Sequence, residues 1–114
     1  MTANEFRSLA LTLPGAVESA HMGHPDFRID GRIFATLGAP DKDWGMVKLV
    51  PEDQRSFVDN EPEVFKPCNG VWGRQGCTYV HLATTAPALG RRALEAAFKN
   101  VAAKSANRKR KTMS

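Results

Sequence analysis

Apolar residues recur along this chain with two different spacings. Phe6, Leu9, Ala10 and Leu13 fall at i, i+3, i+4 and i+7, one face of a helix. Thr2 or Asn4 can cap its start, and Pro14-Gly15 ends it. Residues 16–24 carry no period and read as irregular. From His24 to Gly38, "HPDFRIDGRIFATLG", two short apolar runs flank Asp30-Gly31, which predicts a β-hairpin. "GAPDKD" reads as a loop and "WGMVKLV" as a third strand, rich in β-favouring residues. Pro51-Glu52-Asp53 has the form of a helix's first turn, where proline costs nothing and acids complement the dipole. Glu61-Pro62 ends that helix near residue 60. In the glycine-punctuated segment beyond, Val64-Phe65 predicts a short strand, "CNG" a turn and "CTYVHLA" a strand. Thr84 or Thr85 can cap a last helix with Pro87 in its first turn, and Leu94, Ala97, Phe98 and Val101 form its apolar stripe.

Short connections between successive strands favour antiparallel pairing. The order therefore predicts an α+β fold, an antiparallel β-sheet with helices packed on one face in two layers. One domain spans residues 1–103. After Ala103 the pattern dissolves into "KSANRKRKTMS", a polar, basic segment (104–114) expected to be disordered.

The hairpin admits two registers. A two-residue turn at Asp30-Gly31 sets Phe27 opposite Phe34 and Arg28 opposite Ile33, leaving both faces mixed. A three-residue turn with Gly31 as a bulge sets Phe27 opposite Ile33 instead. Phe27, Ile33, Ala35 and Leu37 then share one face, and Arg28, Arg32, Phe34 and Thr36 the other. A sheet covered on one side favours that clean segregation, so the bulged turn is the expected one. It leaves two arginines around an aromatic ring on an open face, suited to hold phosphates and stack a base. The competing reading makes the arginines solubilising groups and puts Phe34 under a loop.

Composition narrows the class. With 114 residues, 42% hydrophobic and 25% charged, the chain is one soluble-type domain with a real core. No apolar run reaches the roughly 18 residues a membrane span needs. Glu5 and Arg7 interrupt the N-terminal apolar residues, unlike a signal peptide, so a cytoplasmic location is expected, with Cys68 and Cys77 as free thiols. Six of the 16 Lys/Arg residues lie between Lys99 and Ser114, where no acid stands. The rest of the chain holds ten against all 12 acids and is slightly acidic.

Charge therefore supplies the strongest candidate chemistry. Lys104, Arg108, Lys109, Arg110 and Lys111 can bind phosphates without reading sequence, through counterion release. Arg91, Arg92 and Lys99 extend the patch along the last helix, and Arg74 beside Trp72 adds a smaller aromatic-basic surface. The alternative is a solubilising tail. His21, His24 and Asp26 have competent metal donors but match no zinc spacing, and satisfied loop histidines explain them better. Cys77 and His81 share a strand face about 13 Å apart, beyond nucleophile–base reach. Gly70, Gly73 and Gly76 precede a strand rather than a helix, so tight turns and a bulge explain them better than a phosphate loop.

Several stretches together resemble the MmcQ/YjbR family, small bacterial proteins labelled DNA-binding. The matching residues are the first helix ending "LPGAVES", then "FRIDGRIFATLG", "VKLVPEDQRSF", "WGRQGCTYVHL" and the final helix, over roughly residues 4–103. Cys77 departs from the family, whose members often carry an aromatic residue there. The resemblance implies an antiparallel sheet flanked by helices, similar to the frataxin/CyaY arrangement, and a DNA-binding role without catalytic residues. It carries over no site residues. The expectation is thus a non-catalytic, weakly sequence-selective DNA-binding monomer without cofactor. Its tail supplies most affinity, and Arg28, Arg32 and Arg74 orient the duplex. The alternative is a protein- or metal-interaction module of frataxin-like fold.

Overall fold

A computed structural model describes residues 1–113, with side chains through Asn107. Helix α1, Ala3–Leu11, starts on a capping box, in which Thr2 Oγ1 accepts from the Glu5 amide and Glu5 Oε1 accepts from the Thr2 amide. Strands β1 (Val17–His21), β2 (His24–Ile29), β3 (Arg32–Leu37) and β4 (Trp44–Lys48) follow as an antiparallel meander. Helix α2, Pro51–Asn60, carries Pro51 in its first turn with Glu52 and Asp53, as the sequence predicts. Then come β5 (Phe65–Pro67), the five-residue helix α3 (Gly70–Arg74), β6 (Cys77–His81) and α4 (Pro87–Met113). The six strands lie in the order β1-β2-β3-β4-β6-β5, all antiparallel.

One face of this sheet packs against α1 and α4, which also contact each other. Phe6, Phe27, Phe34, Val47, Phe65, Val80 and Leu94 are buried there. Each such aromatic or aliphatic side chain stabilises the fold by about 1.5–3 kcal/mol. Phe57 of α2 packs on Phe65 at 5.0 Å between ring centroids and receives the Arg92 guanidinium at 5.8 Å, which fixes α2 beside α4. The fold is α+β with an antiparallel sheet, as expected.

Three local expectations need correction. Residues 17–21 are a strand, not irregular chain. The β1–β2 turn is Met22-Gly23, both at positive φ (52° and 80°). The "CNG" turn leads into α3, so the glycine-rich stretch contains a helical turn. The last helix does not stop at Ala103: Lys104–Asn107 continue it, and Ser105 is buried with its hydroxyl donating 2.8 Å to Asp30 Oδ2. That tether to the hairpin tip is why the segment from 104 is not free coil. The side chains of Arg108, Lys109, Arg110 and Lys111 lie outside the described residues.

The hairpin overturns the expected three-residue turn: its tip follows the two-residue alternative, and a bulge that neither register includes lies farther along β3. Asp30 and Gly31 both take positive φ, 51° and 77°, so the tip is a two-residue turn pairing Ile29 with Arg32 and Arg28 with Ile33. The bulge comes later. Between these pairs and Phe27↔Ala35 the register shifts, leaving Phe34 as the extra residue of β3. Phe34 and Ala35 are therefore both fully buried, with Phe34 meeting Phe98 of α4 edge to face at 5.7 Å.

Candidate functional site

The bulge decides what the hairpin offers a partner. Residues paired across strands share a face, so Arg28 lies with Ile33 on the open side and Arg32 with Ile29 on the other. The expected pair of arginines around Phe34 does not exist. Phe34 presents no surface to a base. Arg28 is also engaged, since its Nε and Nη2 donate to the two carboxylate oxygens of Asp26 at 2.8 and 3.0 Å. Asp26 has no exposed surface, and its Oδ2 also lies 3.1 Å from His21 Nδ1. The Arg28 hydrogen bonds hold the Asp26 carboxyl below the usual carboxylate range, against the cost of burial and with help from His21. This bidentate pair occupies two of the Arg28 donors and offsets its charge, so a phosphate would have to compete with Asp26.

Two clefts lie on the surfaces that the large helices leave open. The larger, about 370 Å³, runs over the open face of the sheet, from His21 and His24 past Met46 and Tyr79 to Cys68, Cys77 and Trp72. The smaller, about 140 Å³, lies between α3, the end of β4 and α4, and includes Lys48, Trp72, Gln75, Cys77 and Lys104. Trp72 is 65% exposed. Arg74 is exposed on the same short helix. Asn100 of α4 donates 2.9 Å to the Lys48 carbonyl, holding α4 against this edge. None of the salt bridges among the described residues involves Lys48, Arg74 or Lys104. Upstream on α4, Arg92 and Lys99 border a separate hollow that also contains Asp53 and Glu95, so cations are offset by acids there.

Glycines set the shape of this corner. A Cβ on Gly73 would come 1.8 Å from the Cys68 carbonyl oxygen, and one on Gly76 equally close to that of Leu49. Only bare backbone permits such approach. Gln54 of α2 clamps the same corner, its amide donating to the Gly73 and Cys77 carbonyls at 2.9 and 3.1 Å.

The structure also brings together a pair that sequence spacing concealed. Pro67 pairs with Thr78 and the Cys68 amide donates 2.9 Å to the Cys77 carbonyl, so the two cysteines face each other across β5 and β6. Their sulfurs are 2.8 Å apart and both thiols are free. The readable signal was that both cysteines flank strands joined through a glycine-rich connection. Among the described residues, no three His, Cys, Asp or Glu side chains are grouped to hold a metal ion.

The YjbR family model matches residues 11–100. The chain belongs to the YjbR family. A crystal structure of a Deinococcus radiodurans protein with the family-model domain DUF419 is similar in fold, with TM-score 0.71 at 18% identity, covering 85% of this chain and 75% of that one. No curated protein matches the sequence. This YjbR-family chain therefore has the antiparallel sheet flanked by helices that the resemblance implied. No helix among its described residues is long and apolar enough to cross a membrane.

Proposed function

We propose that this YjbR-family chain is a non-catalytic, cytoplasmic protein that binds DNA with little sequence selectivity, chiefly through the C-terminal half of α4 and the adjoining α3 edge. The observation that carries the reading is α4 itself. It is one helix from Pro87 to Met113, and from Lys99 onward it holds six Lys/Arg residues and no acid. Lys104 meets Lys48 and exposed Trp72 at one cleft, and Arg74 lies on the same short helix as Trp72. Cations spaced along one helix can neutralise several phosphates at once, and an indole beside Lys104 offers a stacking surface tolerant of base identity. Arg108, Lys109, Arg110 and Lys111 contribute by charge. The basic C-terminal segment keeps the main role expected of it, while the orienting contacts pass from Arg28 and Arg32 to the α3 edge, because Arg28 is paired with Asp26, Arg32 faces the other way and Phe34 is core.

Fluorescence anisotropy with a labelled duplex tests the reading by variants. Replacing Lys48 and Lys104 together with alanine weakens binding by about tenfold at moderate salt. Trp72→Ala weakens it less, and Arg28→Ala leaves it unchanged. Loss of affinity in Arg28→Ala with none in the lysine double variant overturns the proposal.

A further inference from the structure

We infer that Cys68 and Cys77 form a thiol–disulfide exchange site at the α3 end of the open-face cleft, which accepts a low-molecular-weight disulfide and closes into an intramolecular bond. The inference goes beyond DNA binding and does not depend on it. The two cysteines are directly cross-strand, with sulfurs 2.8 Å apart, so closing the bond needs rotation of side chains rather than movement of strands. Their frame is fixed. The backbone of α3 lies against Cys68 where Gly73 has no Cβ, and Gln54 holds the Cys77 carbonyl.

The partners differ in access and in chemistry. Cys68 is 8% exposed, whereas Cys77 is half-buried and borders both clefts. An incoming reagent meets Cys77 first. The Cys68 thiol donates to the Cys77 sulfur, which lowers the Cys77 pKa against the opposing effect of burial, and Lys48 assists. The same contact, with burial, pushes the Cys68 thiol up. Cys77 is thus the attacking thiolate and Cys68 the resolving thiol.

Cys77 thiolate attacks one sulfur of the disulfide RSSR, breaking that bond and releasing one thiolate, which takes a proton from solvent as RSH. Cys68 then gives up its proton and attacks the Cys77 sulfur of the mixed disulfide, releasing the second RSH. Two protein thiols are oxidised by two electrons in all, and RSSR is reduced to two RSH. Reversal needs only excess thiol.

The probe is hydroxyethyl disulfide with the full chain, read by intact mass and peptide mapping. The expected product is about 2 Da lighter, carries no adduct and returns to its starting mass with dithiothreitol. Its map joins the tryptic peptide ending at Arg74 to the one beginning at Gln75. Cys68→Ser accumulates a stable mixed disulfide on Cys77, and Cys77→Ser reacts far more slowly. Persistent adducts on both cysteines of the unmodified sequence overturn the inference. So does a native chain that stays unreacted while the urea-unfolded chain reacts. Both readouts use the unmodified sequence, so they hold even where a variant folds poorly.

Discussion

Asp26 is the residue on which the open face turns. It is a buried carboxylate satisfied by two partners, Arg28 and His21, and both of those partners reach solvent. Replacing it with alanine leaves a guanidinium without its acceptor but near water, so the expected loss is about 1–3 kcal/mol, measurable by urea unfolding. Because its folded pKa lies below the unfolded value, its contribution is present above the unfolded carboxylate pKa, near 3.8. It fades as pH falls below that point towards the folded value. Asp26→Asn should flatten that part of the acid-stability profile; an unchanged profile would contradict the assignment. Met22 makes a second test. It holds φ 52° in a two-residue turn and is 90% exposed, so its side chain contributes little to offset the left-handed backbone. Met22→Asn should stabilise by about 0.5–1 kcal/mol and raise Tm by a few degrees.

At the scale of elements, features set by local backbone chemistry were legible in the sequence and features set by distant packing were not. Asp30-Gly31 announced the turn, Pro51 the start of α2 and Pro87 the start of α4, because each signal is local backbone chemistry. β1 stayed hidden because all five of its residues are exposed, so it has no alternation, and its turn uses methionine where asparagine or aspartate would have been read. Helix α3 stayed hidden because glycine is a poor helix former, and what holds this one is close backbone packing on Cys68. The bulge at Phe34 depends on the Phe98 ring across the core, which no local pattern contains. Phe34→Ala should accordingly cost about 3–5 kcal/mol in chemical denaturation. Its effect on DNA affinity, measured under conditions where the variant is folded, should be negligible. A stable Phe34→Ala protein with lost affinity would restore the stacking role that burial removes. Gly76→Ala meets the Leu49 carbonyl and an unfavourable φ of 109° together, and should destabilise by about 3 kcal/mol or more.

For the whole molecule, the candidate site was legible in charge and illegible in shape. The run of cations without acids stood out in the sequence, and it remains the main argument for a polyanionic partner. What the sequence could not show is that Ser105 ties the start of this run to the hairpin tip, making it part of a helix packed on the sheet. Nor could it show that Lys104 arrives beside Lys48 and Trp72. The proposed surface is therefore an edge, formed by α3, the end of β4 and α4, rather than a sheet face. The most direct measurement is DNA affinity over a salt series for the full chain and for one truncated after Asn107. With roughly three to five phosphates neutralised, log K should fall against log salt with a slope of about −3 to −4.5, and removal of Arg108–Lys111 should make it clearly shallower. An identical slope in the truncated protein would contradict the account.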